Sequence, residues 1–427
     1  MPAQAFPHAA VASPHYLASA VGLGVLTSGG NAADAAVAMN LTLAVVYPHM
    51  CGLGGDLIAM VWNDGELAGL NSTGRLPAAA PRVEKPQSRG IGSATVPGGV
   101  AGLIALNDRF GSRAMAELAA PAIRYAREGV PRASSLEKLT TVFRPLLERD
   151  PEAARIFLAD DLVQPELADT LEHLDDFYET VGDVAPTPFT CEDFTSHTAE
   201  WVEPMRTTWR GLDVCEMPPN SRGHLALAAL YRLEPLDDLT PDDAEWHHRL
   251  IRSFKGLDAL TGDTIYLCAR DENGMSVSLN ESLSAAFGSG VVIPGTGVLL
   301  HNRAEYFTPE TYIGGTKPVH TLAPAMALQN GEPRLIFGSM GGPSQIQFHL
   351  QLLARIFVAG QDIAEAIAAP RWRTMGPNLL AEAGLPDIGA QPMPDPHNAG
   401  HAHAIMVELH HLLAAADPRS DGAALGY

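Results

Sequence analysis

An apolar run from Ile265 to Ala269 meets a polar turn carrying Asn273-Gly274, and the chain returns with apolar residues at alternate positions, Val277 and Leu279. That pattern predicts a β-hairpin, with Thr264 at the head of its first strand. Upstream, Leu17 to Leu26 and Ala32 to Val46 read as helices, the second capped by Asn31 and rich in small residues that permit close packing. Strands are expected at Leu57–Trp62 and Glu66–Asn71 around the turn Asn63-Asp64-Gly65, and a short one at Ala94–Val96. Helices follow at Val100–Phe110 and Met115–Glu128, the latter with a kink or break at Pro121. Residues 133–206 read as helical and acidic, before a strand at Leu212–Glu216 and helices at Leu225–Leu233 and Ala244–Leu257.

Beyond the hairpin the pattern predicts strands at Gly297–Leu300, Ala323–Leu328 and Arg334–Phe337. The loop Gly338-Ser339-Met340-Gly341-Gly342 then opens a helix at Ser344–Val358, with Pro343 in its first turn. A helix at Ile363–Ala369 and strands near Ala402–Glu408 and Gly422–Leu425 complete the chain. Strands falling into two groups with helices outside them imply stacked antiparallel sheets between helix layers.

Composition narrows the function classes. The 427 residues, 46% of them hydrophobic, suffice for one large layered unit. A net charge of −21 argues against nucleic acid or an anionic membrane surface as partner. The four cysteines, Cys51, Cys191, Cys215 and Cys268, lie far apart and form no CxxC pair, which points to buried thiols in a reducing compartment. Neither a basic leader, since no Lys or Arg precedes Arg75, nor an uncharged run of about 18 apolar residues is present, so a cytoplasmic protein is expected.

Chemistry enters at Thr264. A hydroxyl there can attack the carbonyl of Asp263 and shift the acyl group onto oxygen. Hydrolysis of that ester would leave an amino-terminal threonine whose α-amine serves as its base. The glycine loop at Gly52-Leu53-Gly54-Gly55 is a poor phosphate cradle, because no Lys follows and a strand succeeds it. His401 and His403 could turn two rings to one strand face, yet no further ligand stands at diagnostic spacing, so no metal is assigned.

From near residue 8 to the end the chain resembles the γ-glutamyltranspeptidase family of amino-terminal-nucleophile hydrolases. The resemblance is carried by Ser28-Gly29-Gly30-Asn31-Ala32-Ala33-Asp34, Gly52-Leu53-Gly54-Gly55, Val96-Pro97-Gly98-Gly99, Met217-Pro218-Pro219-Asn220-Ser221, Phe287-Gly288-Ser289-Gly290, Gly341-Gly342 and Asp417-Pro418-Arg419. It implies an α+β fold, a four-layer αββα sandwich made as one unit over residues 1–427. It also implies self-cleavage into a large segment, 1–263, and a small one, 264–427, that starts at the nucleophile. On this match Thr264 is the nucleophile, Ser282 replaces a family threonine that hydrogen-bonds it, and Gly341 and Gly342 form the oxyanion hole. Arg75 matches the arginine that holds a substrate α-carboxylate. No cofactor is implied; the partner is a small molecule, and a homo-oligomer is compatible with the pattern.

The departures cluster on one task. Where the family holds the α-ammonium of a γ-glutamyl donor, the chain carries Ser284, Tyr306 and Arg303, and the paired serines beside the α-carboxylate become His320-Thr321. A guanidinium repels an ammonium, so cation recognition is lost while anion recognition is kept. The segments before Thr264 and between Thr308 and Pro318 are also short for the family, which removes the usual lid. The leading expectation is therefore a threonine amidohydrolase or acyltransferase acting on an anionic amide without an α-ammonium. Two alternatives stand beside it: a true γ-glutamyl hydrolase or transpeptidase using groups such as Glu305, and an uncut pseudoenzyme with a binding or structural role.

Overall fold

The computed structural model describes residues 3–257, 264–393 and 395–427. Among these, two seven-stranded sheets lie face to face, every neighbouring pair in them antiparallel. The first sheet runs from Gln4–Phe6 through Leu412–Ala416, Ala402–Val407, Glu332–Ser339, Ala325–Gln329 and Leu212–Glu216 to Met205–Trp209. The second runs from Ala423–Gly426 through Ala10–Ser13, Ile265–Arg270, Ser276–Ser282, Asp56–Asn63 and Glu66–Ser72 to Glu200–Val202. The hairpin thus occupies the interior of a sheet.

The period of two explains the layering. Along Asp56–Asn63, Leu57, Ala59 and Val61 pack against the helices that cover the second sheet, while Ile58, Met60 and Trp62 pack between the sheets. The hairpin repeats this, with Ile265, Leu267 and Ala269 outward and Tyr266 and Cys268 inward. On the first sheet Leu335 and Phe337 face an outer helix layer containing Gly223–Arg232 and Gln345–Phe357, and Ile336 faces inward. Both faces of both sheets are buried, which is why the central strands read as near-continuous apolar runs. This is the αββα sandwich.

The helix Ala32–Val46 is buried along its whole length, and the small side chains let it lie close to both hairpin strands. A capping box of Asn31 and Asp34 starts it. Asp271 in the hairpin turn ties the two together: one carboxylate oxygen accepts from the amides of Asn273 and Met275, the other from the amide of Ala32.

Several elements differ from the sequence reading. Ala94–Val96 is extended without joining a sheet; Val96 donates to the Arg75 carbonyl, and Pro97 has no N–H to continue a ladder. Gly297–Leu300 forms only isolated bridges, from Leu299 to Val292 and from Leu300 to Gly54. The helix Met115–Glu128 continues through Pro121, because the buried stripe of Leu118, Ala119, Ala122 and Ala126 outweighs one lost hydrogen bond. The acidic region is five α-helices and one short 3-10 helix between Ser134 and Thr195, followed by the edge strands Glu200–Val202 and Met205–Trp209.

Four fully buried histidines give the fold a pH dependence. Burial holds His15, His247 and His403 down to about 4, and His320 to about 3. Unfolded histidine titrates near 6.5, so below that value the unfolded chain binds more protons than the folded one, and acid favours unfolding. The stabilisation is complete above pH ~6.5 and is lost as pH falls toward 4. Urea unfolding at pH 7 and pH 4.5 is expected to differ by at least about 3 kcal/mol, the acidic sample being weaker.

Candidate active site

Thr264 directly precedes Ile265, whose register partner is Glu281, so Thr264 stands beside Ser282 on the neighbouring strand. Ser282 in turn pairs with Asp56. Thr264, Ser282 and Asp56 therefore form a row across three strands at one end of the second sheet. They share the inward face with Tyr266, Asn280 and Ile58, since side chains repeat every two residues. All three are buried.

The opposite sheet supplies what faces this row. The strand Glu332–Ser339 ends just before Met340, and Gly341 and Gly342 turn the chain into the helix Gln345–Phe357. Gly341 has φ 127° and Gly342 φ 57°, in the left-handed region that glycine enters without a Cβ clash. Gln345, the first residue of that helix, donates from Nε2 to Thr264 Oγ1 at 3.1 Å. Its Oε1 accepts from the Ala323 amide at 3.2 Å. Asn280 clamps the sheets together by donating to the carbonyls of Ile265 (2.9 Å) and Ser339 (3.2 Å). The glycine turn is thus held within a few residues of the Thr264 hydroxyl.

Asp56 organises the other side. Its Oδ1 accepts from the amides of Gly74 (2.9 Å) and Gly98 (3.0 Å), and its Oδ2 from His320 Nε2 at 3.0 Å. His301 Nδ1 lies 3.5 Å from the same Oδ2. Burial pushes the Asp56 carboxyl up, but His301, His320 and Arg303 together hold it far below the usual carboxylate range. The glycine of the Val96-Pro97-Gly98-Gly99 motif and Gly74, beside Arg75, find a reason here. A Cβ on Gly74 would collide with the Val96 carbonyl and one on Gly98 with the Ser72 carbonyl, so only glycine brings these amides to the carboxylate. Gly55 is constrained likewise, against Glu281 and the Ser282 carbonyl.

The remaining sequence candidates divide into two places. Ser284, at φ 78°, donates its amide to Ser282 Oγ at 2.7 Å and its hydroxyl to Glu305 at 3.2 Å. Arg303 and Tyr306 share one helical turn with Glu305, the guanidinium lying 5.0 Å from the Tyr306 ring centroid. Arg303 Nη1 donates to Thr321 Oγ1 at 3.0 Å. His320, next to Thr321, has Nε2 committed to Asp56 and Nδ1 accepting from the Leu322 amide at 3.4 Å. Ser284, Arg303, Tyr306, His320 and Thr321 therefore gather around the Thr264–Ser282–Asp56 row. Arg75 lies apart, half-exposed and 3.4 Å from Glu200, which Lys317 also contacts.

Asp263, whose carbonyl the cleavage chemistry needs, lies outside the described residues. Sequence reasoning missed Asp56, His301 and Gln345. Asp56 was visible as the acid closing the glycine loop, but its role depends on register between strands far apart in sequence. At the histidine pair considered for a metal, His403 stacks on Tyr266, ring centroids 6.3 Å apart, and its Nδ1 accepts from the Asp417 amide.

The family model for gamma-glutamyltranspeptidase matches residues 18–260 and 257–427. The chain belongs to the γ-glutamyltranspeptidase family. Among its relatives in this family, the glutathione hydrolase-like YwrD proenzyme of Bacillus subtilis is 33% identical, with 97% of this chain and 98% of that one covered. The oxamate amidohydrolase proenzyme of Klebsiella pneumoniae is 30% identical, with 98% of each covered. The alignment with the former runs over 515 positions, more than the 427 residues here, so that γ-glutamyltranspeptidase relative carries insertions this chain lacks. Among solved structures, cephalosporin acylase from Bacillus halodurans superposes with a TM-score of 0.93 at 27% identity, covering 100% of this chain and 97% of that one. The fold is that of the amino-terminal-nucleophile hydrolases, and the chain is a hydrolase of this family. The pseudoenzyme alternative gains no support from these relatives. Among the described residues no helix is long and apolar enough to cross a membrane.

Proposed function

We propose that the protein is a threonine amidohydrolase that matures by cutting itself before Thr264 and then hydrolyses an anionic amide without an α-ammonium. In maturation the Thr264 hydroxyl attacks the Asp263 carbonyl carbon, the C–N bond breaks as the nitrogen takes the proton, and water hydrolyses the resulting ester. The products are an Asp263 carboxylate and a free Thr264 amine. In turnover that amine takes the hydroxyl proton as Oγ attacks the substrate amide, and returns it to the leaving amine. Water then releases the acyl group by the same route. Gln345 orients the nucleophile, and the amides of the Gly341–Gly342 turn receive the developing oxyanion, fixed in place before the reaction begins.

The observation that carries this reading is the Gln345-to-Thr264 hydrogen bond, which joins the candidate nucleophile to the helix that follows the glycine turn. The names of the two relatives, both proenzymes, support maturation by cleavage; those of the oxamate amidohydrolase and the cephalosporin acylase support amides other than γ-glutamyl ones. The buried Arg303 guanidinium, on the same helical turn as Glu305, sets a positive charge near the position where the family binds an ammonium and opposes a cation there.

A substrate panel tests the specificity. The mature protein is expected to hydrolyse p-nitroanilides of small dicarboxylic or keto acids with at least about 10-fold higher kcat/KM than γ-glutamyl p-nitroanilide, a difference of about 1.4 kcal/mol in transition-state binding. Preference for the γ-glutamyl compound would instead favour recognition of the amine through Glu305.

A further inference from the structure

The two guanidinium groups that the sequence singles out near the site, those of Arg75 and Arg303, differ in their settings. Arg75, the residue the family pattern designates, is half-exposed and close to Glu200, while its Nη1 lies 3.4 Å from the Gly315 carbonyl. An exposed arginine already beside a carboxylate binds another anion weakly, because water and its neighbour compete. Arg303 has no exposed surface. Its Nη1 is occupied by Thr321 Oγ1, and its plane rests against the Tyr306 ring. Its Nε and Nη2 are buried with no hydrogen-bond partner among the described residues.

Those two nitrogens are the ones that matter. Nε–H and Nη2–H lie on the same edge of the guanidinium and point in parallel, spaced to meet both oxygens of one carboxylate. The pattern of satisfied and unsatisfied donors is therefore a complete carboxylate fork, with the remaining edge pinned by Thr321. Burying such donors without an acceptor costs free energy, so the arrangement is stable only if something fills it. The acidic side chains nearby do not. Asp56 is committed to Gly74, Gly98 and His320, and Glu305 accepts from Ser284.

We propose that Arg303, held by Thr321 and Tyr306, is the residue that grips the carboxylate of the acyl donor, in place of Arg75. The proposal rests on the hydrolase reading above and names its substrate class: amides whose acyl half ends in a free carboxylate that enters the buried side of the site, with the leaving amine on the other side. Fork geometry in a water-excluded setting also predicts that a carboxylate is preferred over a neutral amide of the same shape.

The test uses mature protein and two independent readouts. In the first, kcat/KM is measured for the mono-p-nitroanilides of oxalic, malonic and succinic acids and for neutral acetyl p-nitroanilide. The wild-type ratio of the best charged probe to the neutral one is expected to fall at least about 50-fold in Arg303→Gln. Arg303→Lys, which keeps charge but not the fork, is expected to recover only part of it. Arg75→Gln is expected to lower the ratio less than either. The second readout needs no variant and no turnover: oxalate, malonate or succinate is expected to raise the wild-type melting temperature, and their diamides are not. If Arg75→Gln collapses the ratio while Arg303→Gln does not, the assignment is wrong. Absence of any carboxylate-dependent melting shift in the wild type also overturns it, even if the Arg303 variants do not fold. Failure of every anilide to turn over would count against the hydrolase reading; the melting arm, repeated in Arg75→Gln, where the shift is expected to persist, and in Arg303→Gln, where it is expected to be lost, would still decide on Arg303.

Discussion

Thr264→Ala is expected to stay a single chain of 45.3 kDa through prolonged incubation and to lose at least about 10⁴-fold of the hydrolytic rate. Both losses have one cause. The hydroxyl removed is the atom that attacks the Asp263 carbonyl in maturation and the substrate carbonyl in turnover, and no neighbouring group can take over. Ser282 has a hydroxyl in the adjacent register position, but it accepts the Ser284 amide and belongs to the last residue of the return strand, eighteen positions past the cut and with no amine of its own to free. Folding should survive, because the change deletes a small polar group at a strand end. Denaturing electrophoresis shows the cut and an anilide assay shows the rate. Residual cutting in the variant would move the scissile bond elsewhere.

Asp56→Ala is expected to have the largest effect on stability of any single change at the site. It would leave three buried donors, the Gly74 and Gly98 amides and His320 Nε2–H, without their acceptor. It would also remove the buried carboxylate that the Arg303 charge helps hold ionised. Breaking a buried charged network of this kind costs about 3–5 kcal/mol, a large share of the stability of an ordinary domain. Asp56→Asn should cost less, since its Oδ1 can still serve both glycine amides, although its NH₂ then faces the His320 proton. Urea unfolding at pH 7 checks both. A loss below about 1 kcal/mol in Asp56→Ala would mean that water replaces the carboxylate and that the row is not rigid. The folded carboxyl titrates well below its unfolded value, so the contribution of Asp56 is present above pH ~4 and fades only as pH falls below it.

The sequence made the strand elements of the hairpin and the glycine turns legible for different reasons. The apolar run at Ile265–Ala269 and the turn at Asn273-Gly274 are local signals; the first strand formed at Ile265–Arg270, and the return strand, expected through Val277 and Leu279, extends to Ser282. The motif around Gly98 and the matched Arg75 next to Gly74 were recognisable as a pattern, while the purpose of the two glycines was not. Each presents an amide to Asp56, and that convergence exists only after three strands pair in register. Gln345 was invisible for a similar reason, since in sequence it is one polar residue at the start of an amphipathic helix. Ala10–Ser13 and Leu412–Ala416 were missed as strands because alanine is a poor strand former; they are held by burial between layers and not by propensity. For Arg303 the sequence supplied the charge, and the fold supplied the information that two of its donors stay unmet.

The most direct measurement is the intact mass and amino-terminal sequence of the purified wild-type protein after incubation at neutral pH. Two fragments corresponding to residues 1–263 and 264–427, the smaller beginning with threonine, are the predicted result. A single undivided chain that still hydrolyses amides, or a small fragment beginning at any other residue, would contradict the assignment of Thr264.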